Sequence, residues 1–270
     1  MIADTHAHLY YDSFKQDLPE VIQRALGQNL EFIINIGADL EDSQKAVAME
    51  SDQIKLYCSI GLHPHEAAKF GTVESIHTNI NKLEELYHSR SEKIVAIGEC
   101  GLDYHFQENP GFSPIPLPQD QIKALQKELF ESQIDLAKKL KLPLIIHIRD
   151  AWHEAFSPTL SGTTGVFHSF TGNKEDAQRA LELGYYLSFS CMITYPKNDY
   201  LREIIKRTPL DKILTETDCP FLPPQELRGQ RNEPASVTEV VRTIAEAKGL
   251  SYKEVAQATL QNAKSLFRLL

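Results

Sequence analysis

Eight short apolar runs rich in β-branched residues alternate with amphipathic helical patterns along 270 residues, and together they predict an α/β protein of the (β/α)8 barrel class. Strands that alternate with helices imply parallel pairing and right-handed crossovers, and eight such units in a chain of this length suit a closed barrel better than an open sheet. No linker or internal repeat marks a second unit, so 1–270 reads as a single domain.

The strand runs fall at 2–8 (IADTHAH), 31–37 (EFIINIG), 55–61 (KLYCSIG), 93–99 (KIVAIGE), 143–149 (PLIIHIR), 164–170 (TGVFHSF), 184–190 (GYYLSFS) and 212–218 (KILTETD), each followed by polar or glycine punctuation. Helical patterns occupy 15–28, 40–50, 72–89, 118–140, 151–158, 173–183 and 198–207, with 234–248 and 251–269 closing the chain. The clearest is 118–140, where Leu125, Leu129, Ile134, Leu136, Ala137 and Leu140 recur at helical spacing among Lys, Gln and Glu. The segment 106–118, FQENPGFSPIPLP, has too much Pro and Gly for either element; it is a surface excursion or a wall of the cleft above the barrel.

A formal net charge of −9 gives no overall attraction to nucleic acid, so a polyanionic partner must be held by local groups. Cys58, Cys100, Cys191 and Cys219 are widely spaced, form no C-x-x-C and lie in or beside apolar runs, which reads as reduced, buried thiols. No apolar run approaches a membrane span, the first residues lack a leader pattern, and nothing calls for an obligate protein partner. A cytoplasmic location is the expectation.

The chemistry is written at the strand ends. In this architecture catalytic side chains gather on the rim at the C-terminal ends of the strands. His6 and His8 end the first run, Glu99 the fourth, His147 the fifth, His168 the sixth and Asp218 the eighth. Alternate residues of a strand share a face, which puts His6 and His8 on one side, about 7 Å apart along the chain. Uncompensated imidazoles and carboxylates inside apolar runs would each cost several kcal/mol, an objection that a bound cation removes.

Four histidines and two carboxylates exceed the needs of one tetrahedral ion and fit two divalent ions about 3.5–4 Å apart. Glu99 is the natural bridge, with His6, His8 and Asp218 around one ion and His147 and His168 around the other. A nitrogen and oxygen donor set without thiolate admits Mg, Mn or Zn, as well as iron or cobalt. Asp218 has a second duty as the carboxylate that accepts a proton from attacking water. Asp4 and Glu216 share the parity of the ligands one step deeper, where they would orient imidazoles or accept structural hydrogen bonds.

DTHAHL, GLHPHE, GECGLDY, HIRDA, VFHSFTG and TETDCPFLPP followed by RGQRNEP, in that order and over essentially the whole chain, resemble the TatD family of metal-dependent deoxyribonucleases. The resemblance implies a TIM-barrel hydrolase of the amidohydrolase-like superfamily, cytoplasmic, that uses divalent metal to cut DNA phosphodiesters, often as a 3′–5′ exonuclease. It implies metal ligands at His6, His8, Glu99, His147, His168 and Asp218, in agreement with the strand ends. The proline-rich 106–118 segment departs from the family's usual short polar link.

The resemblance also favours His63, after the third strand, as a contact to phosphate or leaving group; the competing role is a structural pin for the turn set by Pro64, and His65 is left open between the two. Arg228 and Arg231 either grip phosphate or, with Asn232 and Glu233, anchor the helix that starts near Pro234. Asp103 and Tyr104 would order the loop behind Glu99, His105 and His153 could reach the barrel mouth, and His77 and His88 would be solvated.

The leading reading is therefore phosphodiester hydrolysis. Hydrolysis of a small amide, lactone or phosphoester on a related two-metal barrel is the alternative, although many such sites carry a carboxylated lysine where this chain has Glu99. A non-catalytic metal scaffold is the third class, and it sits badly with a ligand set free of thiolates.

Overall fold

The strands form one parallel sheet in the order β1 to β8: Ile2–Ala7, Leu30–Ile36, Lys55–Ile60, Ile94–Asp103, Leu144–Arg149, Gly165–Phe167, Tyr186–Phe189 and Ile213–Thr215. The computed structural model describes residues 1–106 and 117–269. The segment expected to be irregular at 106–118 thus lies, apart from its first residue and last two, outside the described residues.

The last strand meets the first through a seam that completes the (β/α)8 barrel. Ala7 bridges Cys219 in parallel, His8 N donates to the Cys219 carbonyl at 2.8 Å, and Asp218 N donates to the His6 carbonyl at 2.9 Å. Side chains reinforce it: Thr5 Oγ1 donates to the Thr215 carbonyl, and Asp4 accepts from both the backbone N (2.9 Å) and the hydroxyl (2.6 Å) of Thr217. Asp4 therefore serves the seam. Burial pushes its carboxyl up to about 8, against the lowering effect of the Thr217 bonds.

Helices α1 (Leu18–Gly27), α2 (Leu40–Ala48), α3 (Glu66–Phe70), α4 (Val73–Ser89), α5 (Gln119–Leu140), α6 (Lys174–Glu182), α7 (Asp199–Arg207), α8 (Val237–Lys248) and α9 (Tyr252–Phe267) accompany the strands. On α5 the buried stripe of Leu125, Leu129, Ile134, Leu136 and Ala137 is the one expected from periodicity. In α9, Ala263, Leu266 and Phe267 pack in one cluster with Ala3, Phe32 and Leu214 of the strands. No helix among the described residues is long and apolar enough to cross a membrane, and all four cysteines are free and buried.

Three local differences from the expected elements affect the site. The helix expected at 151–158 is two short 3-10 turns, Trp152–Glu154 and Pro158–Leu160, because Pro158 cannot continue a helix and Trp152 is drawn onto the Phe167 and Phe170 rings. The eighth strand stops at Thr215, and Asp218 leaves the extended region with φ of 59°. The fourth does not end at Glu99 but runs on to Asp103 after a register shift between Ile97 and Cys100.

The reason for that longer strand lies in two glycines. Gly98 and Gly101 have φ of 155° and 139°, and a Cβ on them would lie 2.6 Å from the Ile145 carbonyl and 2.0 Å from the His147 carbonyl. Only glycine lets β4 approach β5 this closely, and the approach delivers Glu99 to His147.

Candidate metal centre

Every strand-end residue singled out from the sequence joins one cluster at the base of a cleft, which all of them but His6 line. His6 (on β1), His8 (one residue beyond it), Glu99 (on β4) and His168 (one residue beyond β6) are buried, while His147 (on β5) and Asp218 (three residues beyond β8) are partly open. Glu99 sits between two groups. Its Oε1 is 2.9 Å from His147 Nδ1 and 3.0 Å from His168 Nε2, and those two nitrogens are 3.1 Å apart. Its Oε2 is 3.6 Å from His6 Nε2, which lies 3.6 Å from Asp218 Oδ1, and that oxygen is 3.5 Å from His8 Nε2.

Donor atoms at about 2.0–2.2 Å from one ion lie about 2.8–3.6 Å from each other, and both groups fall in that range. Two three-residue sets close enough to share an ion are His6 with His8 and Asp218, and His6 with Glu99 and His168. His6 makes the strongest case for a cation. It is fully buried and neither ring nitrogen has a hydrogen-bond partner, a condition that costs about 1–3 kcal/mol per group unless something else satisfies it.

The other three imidazoles are each held by an acceptor behind them. His8 Nδ1 donates to the Ile36 carbonyl at 3.2 Å, with Tyr10 Oη at 3.1 Å, and turns Nε2 toward the site. His168 Nδ1 lies 3.2 Å from Glu216 Oε1, which also accepts from Ser169 N at 2.7 Å. His147 Nε2 lies 3.2 Å from Asp103 Oδ2. A proton on the rear nitrogen leaves a lone pair on the front one, the state a metal ligand needs.

Asp103, read from the sequence as ordering the loop behind Glu99, also holds imidazoles, a role that reading β4 as ending at Glu99 misses. It shares the parity of Glu99 four residues on, it is buried, and its Oδ2 takes both His147 Nε2 and His65 Nε2, the latter at 2.9 Å. A third close set, His63 with Asp103 and His147, records the same convergence.

The fields in the cleft are strong. Burial alone would raise the Glu99 carboxyl, but His168, His147 and His6 outweigh it and hold Glu99 well below the usual carboxylate range. Asp218 behaves likewise: burial is outweighed by the His8 contact and by His6 and His168, so it stays ionised. Burial holds His63 well below the ordinary histidine value, despite Glu99 nearby. His63 Nδ1 accepts from His65 N at 3.3 Å, so the neutral ring carries its proton on Nε2, 3.7 Å from Glu99 Oε1.

The two arginines do not join this group. Arg231 pairs with Asp17 and Glu233, each at 2.7–2.8 Å, donates to the Ser13 carbonyl and packs over Phe14. That is the anchoring role, with Asn232 and Glu233 beside it. Arg228 lies over the Tyr195 ring at 5.0 Å. Neither lines the cleft; among the described residues its cationic lining is Lys69 and Arg149, besides the histidines. Arg149 follows His147 by two residues on β5 and could have been found by parity, whereas Lys69 on the short α3 left no pattern. His105 pairs with Asp150 at 2.6 Å, and His77, His88 and His153 are exposed beside glutamates.

The cleft has two lobes. One, of about 510 Å³, is lined by His8, Tyr11, Asp39, His63, Lys69 and Glu99 among others. The second, of about 480 Å³, is lined by Ile148, Ser169, Thr171, Met192 and Leu222. His147, Arg149, His168, Asp218 and Phe221 line both.

Known proteins similar to this chain include metal-dependent hydrolases. The profile of the family described as TatD related DNase matches residues 3–268. The metal-dependent hydrolase YabD of Bacillus subtilis is 39% identical over 273 residues, covering 100% of both chains. The 3′–5′ ssDNA/RNA exonuclease TatD of Klebsiella pneumoniae is 31% identical, with 98% of this chain and 97% of that one covered. The crystal structure of YjjV, a TatD homologue from Escherichia coli, superposes with a TM-score of 0.84 at 30% identity, covering 100% of this chain and 98% of that one.

Proposed function

This chain belongs to the TatD-related DNase family of metal-dependent hydrolases, and on that premise we propose that it is a two-ion nuclease acting on the 3′ ends of single-stranded DNA. The observation that carries the reading is the double-facing carboxylate of Glu99, one oxygen against His147 and His168 and the other against His6 beside His8 and Asp218. His6, His8 and Asp218 would hold one ion and His147 and His168 the other, with Glu99 between. The unpartnered ring of His6 supports a cation there.

When bound, divalent ions supply charge neutralisation for a phosphoryl oxygen and acidify water. The chain's own residues do the rest. Asp218, ionised and at the open side of its group, accepts the proton of the attacking water. His63, neutral with Nε2 protonated, donates to a phosphate or leaving oxygen. Lys69, paired with Glu66 at 2.6 Å, and Arg149 are the cleft cations placed to meet a phosphate in a chain of net charge −9. The free, buried thiols support a reducing compartment and with it a cytoplasmic location.

The test is release of mononucleotides from a labelled single-stranded oligonucleotide with Mg²⁺, Mn²⁺ or Zn²⁺. Metal-dependent release that collapses in Asp218→Asn is expected. Release no greater than in that variant, alongside fast turnover of a small lactone or phosphotriester, would move the assignment to the small-substrate class.

A further inference from the structure

Phe221 is large, apolar and 49% exposed, yet it lines the cleft beside the ionisable groups of the proposed ion centre. Its edge contacts with His8 (centroids 6.1 Å apart) and Tyr11 (5.8 Å) fix the ring. The loop beneath is pinned as well. Asn232, fully buried, donates from Nδ2 to the carbonyls of Thr217, Phe221 and Leu222 at 3.0, 2.8 and 3.2 Å, and Phe221 N donates to the Asp218 carbonyl at 2.9 Å. An exposed aromatic held this firmly is a surface prepared for something to lie against.

The second lobe supplies the space. Met192, Leu222 and Phe221 give it an apolar side, while Ser169, Thr171 and Arg149 add polar groups beside those of the ion centre. It is continuous with the proposed ion centre, since His147, His168 and Asp218 line both lobes. A ligand whose phosphate sits at that centre therefore has its next group, the nucleoside, within reach of this lobe.

We propose that the second lobe receives the unpaired base of the strand-terminal nucleotide, stacked on Phe221. The inference rests on the nuclease reading and deepens it. Stacking against an aromatic ring tolerates every base, because each has a π-face. A base reaches such a ring only out of its duplex stack, so single-stranded or frayed ends are preferred over paired ones.

The experiment uses the full chain with Mn²⁺ and two 5′-labelled oligonucleotides, one ending in an ordinary nucleotide and one in an abasic residue, against wild type, Phe221→Leu and Phe221→Trp. On the ordinary end, Phe221→Leu is expected to raise KM about ten-fold, with Phe221→Trp staying within about two-fold of wild type. On the abasic end the leucine penalty shrinks to less than about two-fold, the pattern a purely structural role for Phe221 would not give. An equal penalty on both ends, or none on either, would overturn the inference while leaving the nuclease reading intact. Failure of the wild type to cut either oligonucleotide would overturn the nuclease reading and the inference with it.

Discussion

Replacing Asp103 by Asn removes almost no volume, yet the structure predicts a large loss of ion affinity. Asp103 Oδ1 accepts from His105 N at 2.9 Å, and Oδ2 faces His147 Nε2 at 3.2 Å and His65 Nε2 at 2.9 Å. An amide offers one acceptor and one donor. With its oxygen toward His105 N, its NH2 faces the two imidazoles and favours a His147 tautomer protonated on Nδ1, the nitrogen needed beside Glu99 and His168. Turned the other way, the NH2 meets the backbone N–H of His105, donor against donor. Either arrangement fails. The loss of charge adds to this, because Asp103 is ionised: burial is outweighed by His147 and His65, which hold it below the usual carboxylate range.

Supporting groups of this kind are worth about 10- to 100-fold in ion affinity, or about 1.4–2.8 kcal/mol at 1.4 kcal/mol per decade. Calorimetric titration of Mn²⁺ or Zn²⁺ into metal-stripped wild type and Asp103→Asn reads this directly. An affinity within about two-fold of wild type in a natively folded variant would refute the tautomer argument.

Three other outcomes follow from the same coordinates. Gly101→Ala places a Cβ 2.0 Å from the His147 carbonyl at φ of 139°, so it should destabilise the fold by about 3 kcal/mol in chemical denaturation, whereas an unstrained site would lose under about 1 kcal/mol. Arg231→Ala should lower the melting temperature at neutral pH without changing oligonucleotide cleavage. Because the Arg231 contact, opposed by slight desolvation, holds Asp17 down at about 2, the stability Asp17 contributes is present above the ordinary carboxylate value and lost as pH falls through about 2; the wild-type advantage should shrink over that interval, and a cleavage defect would restore the phosphate-gripping role. Burial lowers His168 but Glu99 and Glu216 more than offset it, so the metal-free ring is held well above the ordinary histidine value. That contribution to the metal-free fold is complete below the ordinary histidine value and disappears as pH rises through the raised one, whereas an ion requires the deprotonated ring. Ion affinity should therefore weaken toward acid pH and binding should release protons, seen as a heat that varies with buffer ionisation enthalpy; a buffer-independent heat would contradict it.

Much of this was legible in the sequence because periodicity and burial agree along most of the chain. The α5 stripe from Leu125 to Ala137 reads directly as a helix face, and the β5 run from Leu144 reads as a buried strand carrying His147 to the rim. His6, His8 and Asp218 were legible as strand-end ligands, but the seam that joins them depends on Asp4 and Thr217, more than 200 residues apart, and no local pattern records it. The contact of Asp103 with His147 was hidden for a different reason. Glycine normally ends a strand, so GECG reads as punctuation, whereas here its glycines let β4 lie close to β5 and continue. The ambiguity at Arg231 was also physical: a guanidinium suits phosphate and carboxylate equally, and only the positions of Asp17 and Glu233 decide.

The most direct test of the central claim is the anomalous scattering of Mn²⁺ in crystals of this chain. Two peaks about 3.5–4 Å apart are expected, one among His6, His8 and Asp218 and one against His147 and His168, with a Glu99 oxygen on each. A single ion, or ions held without Glu99 between them, would contradict the claim.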